Sequence, residues 1–175
     1  MPWKNGHGST REIAVQPSGA SSEDFLWRVS LAEVDSAAPF SIFPGIDRQI
    51  VLLDGAGFRM TLDDAQTHAL STPFAPFAFA GEARVAVALA GGPTRDFNLM
   101  VRRRSSRGEL QVWRAPGTWS LADAIVLVHA ARGRIDTAQG PLLPGDSWLA
   151  GATPAGTIVL HDDALALAVR ITCPG

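Results

Sequence analysis

The sequence predicts an all-β protein, built as paired β-barrels or as a two-layer sandwich. Three observations carry this reading. Short apolar runs alternate with polar residues at a period of two, seventeen glycines and twelve prolines fall between the runs as turns would, and no segment keeps a helical apolar stripe. At 175 residues the chain is long enough to bury a sizeable interior.

The elements follow in chain order. Phe25, Trp27, Val29 and Leu31 alternate with Leu26, Arg28, Ser30 and Ala32, so Arg28 and Ser30 share one strand face. Gln49–Leu53 is an apolar run that ends in Asp54-Gly55-Ala56-Gly57, after which Phe58, Met60 and Leu62 alternate; this pattern predicts a hairpin. Val85, Val87 and Leu89 form the next strand, Gly91-Gly92-Pro93 turns the chain, and Phe97, Leu99 and Val101 form an apolar row from which Asn98 faces away. Ala115-Pro116-Gly117 is the best boundary, dividing the chain into segments 1–114 and 115–175. The second segment repeats the style, with Ile125–His129, a hairpin punctuated by Gly133 and Gly140, a turn at Pro144-Gly145-Asp146, and the strands Thr157–His161 and Leu165–Ile171. It is short for a complete barrel, so exchange of strands between the halves of one compact unit is expected. Helix is confined to Leu121–Ala124 or one turn near Asp63–His68.

Fifteen basic against seventeen acidic residues leave a net charge of −2, with no general basic field to hold a nucleic-acid backbone. Hydrophobic residues at 46% and charged residues at 18% exclude a disordered chain. No apolar run approaches the ~20 residues of a membrane span and the N-terminus carries no secretory h-region, so a cytoplasmic location is expected. The single cysteine, Cys173, allows neither an intrachain disulfide nor a cysteine metal cluster.

The histidines, His7, His68, His129 and His161, are far apart and form no HxH or HExxH element, so neither a metal nor any other cofactor is expected. No serine sits in a GxSxG elbow, and no catalytic residue is assigned. Arg102-Arg103-Arg104 with Arg107 reads either as a docking patch or, more plainly, as a solvated strand end. A set of polar residues embedded in aromatic and Gly/Pro-rich segments says more: Lys4 and Asn5, Thr10, Arg28 and Ser30, Arg48, and Arg95, Asp96 and Asn98. The guanidinium fork matches a carboxylate in bidentate fashion, and Asn and Ser supply oriented hydrogen bonds beside it, so the expected partner is a small carboxylate metabolite. The competing reading is that Asp47/Arg48 and Arg95/Asp96 only pin turns.

The segments PWKNG (2–6), WRVS (27–30), FPGIDR (43–48) and GGPTRDFN (91–98) resemble those of the bacterial HutD/Ves family, and the likeness extends over most of the chain. This resemblance implies a bicupin of two β-barrels with very little helix. It also implies a role accessory to histidine utilisation or, in the Ves branch, to stress response, without established catalysis and with a small acid such as formylglutamate as ligand. The nine polar residues named above stand where the family places polar residues. Two departures are His7, in place of the glycine of PWKNGGG, and the start of the chain at this motif, which leaves open a start upstream of Met1.

Three functions follow as alternatives. The first is a non-catalytic, regulatory carboxylate-binding bicupin, the second a metal-independent, isomerase-like cupin enzyme. The third is an interaction module whose edge strands or Arg102–Arg107 loop dock a partner, a homodimer being one form of it.

Overall fold

The computed structural model describes residues 8–121, 124–150 and 156–173. The chain divides into two units, Met1–Arg107 and Gly108–Gly175. The first contains β1 (Gly8–Gln16), β2 (Trp27–Val34), β3 (Ile46–Asp54), β4 (Phe58–Leu62), β5 (Gln66–Leu70), β6 (Phe77–Ala80), β7 (Val85–Leu89) and β8 (Thr94–Arg102). They form a five-stranded sheet in the order β1-β2-β8-β3-β6 and a three-stranded sheet in the order β5-β4-β7. Val34, Ile50 and Leu52 of the larger sheet meet Phe58, Met60, Leu62, Leu70, Val85 and Val87 of the smaller one in a shared core. Each such buried side chain contributes about 1.5–3 kcal/mol, which holds the two sheets face to face. Phe25, Ile46 and Met100 form a second apolar cluster, with Ile46 and Met100 further along the same face of the larger sheet. The polar residues of interest share this face, Arg48 opposite Met100, Asn98 opposite Ile50 and Asp96 opposite Leu52.

One expected hairpin is corrected. β3 pairs with β6 and β8, whereas β4 pairs with β5 and β7, so Asp54–Gly57 carries the chain from one sheet to the other. The Gly91-Gly92-Pro93 turn likewise links β7 to β8 across sheets. The alternation marks strands correctly but carries no information about which strands pair. Gly57 shows what the crossing requires: at φ +77° a Cβ there would lie 1.9 Å from the Leu70 carbonyl oxygen. The turn suggested as helical near Asp63–His68 is instead the β4–β5 hairpin, with Asp63 and Asp64 at positive φ.

The second unit contains β9 (Arg107–Trp113), β10 (Gly117–Ser120), β11 (Ile125–Arg132), β12 (Ile135–Thr137), β13 (Gly140–Leu142), β14 (Ser147–Leu149), β15 (Thr157–Leu160) and β16 (Leu165–Thr172). Its sheets run β14-β11-β16-β9 and β10-β15-β12-β13. Because β9 pairs with β16, the division falls at Arg107/Gly108 and not at 114/115. Among the described residues, β1 to β8 supply the sheets of the first unit and β9 to β16 those of the second. β16 is buried on both faces. Ala164, Ala166 and Ala168 enter the unit's core with Trp113, Val128, Ile135 and Ile158, while Leu165, Leu167 and Val169 form the other, equally buried row. No helix occurs among the described residues, and the architecture is the all-β bicupin one.

The crossing at Gly57 generates a contrast between two glycines. Gly92→Ala, at φ +104° with nothing within 4 Å of the new Cβ, is expected to cost about 1 kcal/mol for backbone conformation alone. Gly57→Ala adds a backbone collision and is expected to cost several-fold more; urea unfolding of the two variants measures the difference.

Candidate functional site

The site is built by cross-strand register on the larger sheet of the first unit. Directly opposed residues share a face, and three such rows run across β2, β8 and β3. They are Arg28–Met100–Arg48, Ser30–Asn98–Ile50 and Ala32–Asp96–Leu52. β1 extends the lower two rows with Glu12 opposite Ser30 and Thr10 opposite Ala32. Ile50 and Leu52 belong to the interior core, so this face of β2, β8 and β3 turns into the barrel, while Glu12 on β1 stays exposed. Adjacent strands lie about 4.8 Å apart, placing the backbones of Arg28 and Arg48 about 10 Å from each other.

At the centre is a buried chain of three groups. Arg48, 5% exposed, donates from Nη2 to Asn98 Oδ1 at 3.1 Å, and Asn98 Nδ2 donates to Asp96 Oδ1 at 3.1 Å. Asp96 is fully buried. The amide is thus oriented at both ends, its oxygen toward the cation and its nitrogen toward the carboxyl group. Two buried polar atoms of this group have no hydrogen-bond partner among the described residues: Arg48 Nε and Asp96 Oδ2. Burial lowers the Arg48 guanidinium to about 10, against the pull of Asp96 and helped by the neighbouring Arg28 charge. Burial raises Asp96 to about 7, opposed by the Asn98 hydrogen bond and by Arg48. Both shifts share a cause: the barrel interior solvates charge poorly, and a cation and carboxyl group separated by an amide do not fully compensate each other.

Aromatic rings enclose the cation. The Arg48 Cζ lies 4.8 Å from the Phe79 ring centroid, 5.2 Å from Phe40 and 5.6 Å from Phe43, which suits the electron-rich ring faces to a poorly hydrated guanidinium. Phe79 continues into a stack with Phe77 at 5.9 Å and from there to His68 at 3.6 Å. Arg48 Nη1 also reaches the Ser41 carbonyl at 3.5 Å. Arg28 pairs with Glu12 at 2.8 Å.

Of the nine residues singled out in the sequence, Thr10, Arg28, Ser30, Arg48, Asp96 and Asn98 share this interior face. Arg95 does not. It precedes Asp96 by one residue and therefore points to the opposite face, exposed and in register with Glu33 and Asp54. Lys4 and Asn5, like His7, lie outside the described residues. Sequence reasoning missed Glu12, Phe40, Phe43 and Phe79 as parts of the site. For the three rings the signal was the density of phenylalanine in 40–43 and 74–79.

Other candidates are weaker. A surface depression of about 470 Å³ is lined by Pro44, Gly45 and Arg102–Arg104, but two of its cations are already engaged. Arg102 donates to the carbonyls of Phe25 and Glu23, and Arg103 bridges Asp47 at 2.6 Å and Glu82 at 3.1 Å. In the second unit the core between the sheets is apolar, His129 is buried against Ser147 Oγ at 2.9 Å, and His161 and Arg134 share the exposed Asp136. Among the described residues no three His, Cys, Asp or Glu side chains gather as a metal site would need, and no helix is long and apolar enough to cross a membrane.

Comparison with known proteins places the chain in a family. The chain is 38% identical over 139 residues to an uncharacterised 21.2 kDa protein of the hutC 3' region of Pseudomonas putida, covering 79% of this chain and 72% of the relative. It is 32% identical to the protein Ves of Citrobacter koseri, covering 87% and 91%. Among solved structures, HutD from Pseudomonas fluorescens SBW25 is 31% identical with a TM-score of 0.84, covering 100% of this chain and 94% of that one. A protein of unknown function from Pseudomonas aeruginosa PAO1 is 34% identical with a TM-score of 0.85, covering 98% and 92%. The YlbA protein of Escherichia coli, 9% identical with a TM-score of 0.65 over 95% of this chain and 83% of that one, shares the fold alone. The sequence profile of HutD matches residues 1–167, and the chain belongs to the HutD family.

Proposed function

We propose that the barrel of the first unit binds a small organic carboxylate and that the protein is an accessory, regulatory component of histidine utilisation, working in the cytoplasm without catalysing a reaction. The observation that carries the reading is Arg48: a guanidinium buried in an aromatic enclosure, with its Nε hydrogen unpartnered and Arg28 on the same wall. A buried cation with a spare donor is costly unless an anion accepts from it. The names of the relatives, one a HutD protein and one encoded beside hutC, support the metabolic setting. Asp96 supports a second reading, an isomerase-like enzyme, because a carboxyl group held near neutrality can carry a proton in either direction.

Thermal shift with formylglutamate, urocanate, histidine and glutamate tests the first reading, and stabilisation by at least one of them is expected. Arg48→Lys loses the planar fork and should weaken that ligand by roughly 10- to 100-fold, as for a charge-assisted hydrogen bond. Arg95→Ala, on the outer face, should bind as the native protein does. If none of the four stabilises the protein, the carboxylate reading fails; turnover of any of them would instead establish the enzyme.

The buried carboxyl group also sets a pH dependence of stability. Its folded pKa, about 7, lies above the usual carboxylate value of 3.8, so between these two pH values the folded state holds a proton that the unfolded state has lost. Stability from this group is therefore fully present at the acid end and falls as pH rises toward about 7, by at most about 1.4 kcal/mol per pH unit. His68 works in the opposite sense, because burial lowers its pKa. The difference between the native protein and Asp96→Asn removes that contribution. Urea unfolding from about pH 5 to about pH 7.5 should show the native protein losing stability relative to the variant as pH rises.

A further inference from the structure

We propose that the first barrel takes up its anion together with one proton, which goes to Asp96, so that the ligand's negative charge replaces an internal one. The inference rests on the carboxylate reading above and adds to it how the site is regulated.

Among the described residues, few charges face the barrel interior. β1 contributes Glu12, β2 Arg28, β3 Arg48, β8 Asp96 and β5 the half-buried His68. β4, β6 and β7 turn apolar side chains inward, Met60, Phe79 and Val87 among them. Burial keeps His68 below the ordinary histidine range, so it adds no positive charge above neutrality. Glu12 is committed to Arg28 at 2.8 Å. That leaves Arg48 and Asp96, joined only through Asn98. With Asp96 ionised the set is neutral, two guanidinium groups against two carboxylates. A carboxylate seated on Arg48 Nε would then leave one negative charge in excess inside an apolar barrel. Protonation of Asp96 restores the balance. The geometry accommodates the proton, because Asp96 Oδ2 has no hydrogen-bond partner while Oδ1 already accepts from Asn98. The ligand thereby takes over from Asp96 as the counter-charge of Arg48. A carboxyl group poised near neutrality places this exchange in the physiological range.

Acetate is the probe, since it stays ionised from about pH 6 to about pH 9. The Asp96 Cγ resonance, followed by carbon NMR, should titrate near neutrality in the free protein, and its midpoint should rise by about one unit or more when acetate saturates the site. Acetate affinity should be nearly level below about pH 7 and fall up to tenfold per pH unit above it, whereas Asp96→Asn should bind acetate equally at both ends of the range. Acetate binding that shifts the Arg48 Nε resonance while leaving the Asp96 midpoint unmoved or lowered overturns the coupling but keeps the carboxylate site. Acetate that perturbs no interior resonance at any pH overturns both. The native titration stands as a test even if the variant fails to fold.

Discussion

A guanidinium group and a carboxyl group buried in one barrel interior, with a single amide between them, are the constraint around which the first unit is organised. Neither charge is at ease there: Arg48 is held below and Asp96 above its ordinary value because the interior lacks the dielectric response of water. Asn98 hydrogen-bonds to both, and its two ends fit one partner each. The aromatic rings of Phe40, Phe43 and Phe79 do the remaining work for the cation, offering ring faces where water would otherwise be. A fold that sought stability alone would fill such a position with aliphatic side chains, since a buried charge pair rarely outperforms close packing.

The second unit shows that alternative. Its core brings together Trp113, Val128, Ile135, Ile158 and the alanines of β16, with no charged side chain in the cluster. Both units are made in the same way, from two antiparallel sheets around a core; the second also buries an ionisable group, His129, beside Ser147, whereas the first links a buried guanidinium and a buried carboxyl group through Asn98. The site therefore belongs to what is particular to the first unit and not to the architecture, which relatives of very low identity also share.

Several features were legible along the chain because they are local. Alternation located β2, β4, β7 and β8, and the glycine and proline punctuation located most turns. It also put Arg28 with Ser30 on one face and set Asn98 apart from Phe97, Leu99 and Val101. Pairing was not legible. The runs on either side of Asp54–Gly57 look like a hairpin, but Gly57 leads β4 to β5 and β7 while β3 remains with β8. A two-residue period is identical for a strand that folds back on its neighbour and for one that crosses to a facing sheet. Arg95 was grouped with Asp96 because they are adjacent in sequence, although adjacency in a strand is what separates two side chains.

By itself, then, the sequence determined the strand class, the family and the inventory of polar groups, since composition, period and motif need no knowledge of what lies opposite. Only the tertiary structure decided which face is inside. On β8 both rows are buried, Phe97, Leu99 and Val101 on one side and Asp96, Asn98 and Met100 on the other, so hydrophobicity could not distinguish barrel interior from exterior. The smaller sheet closing over Ile50 and Leu52 made that choice. It turned a polar stripe into a buried, electrostatically strained cluster, because the charges on that stripe lost their water where the two sheets met.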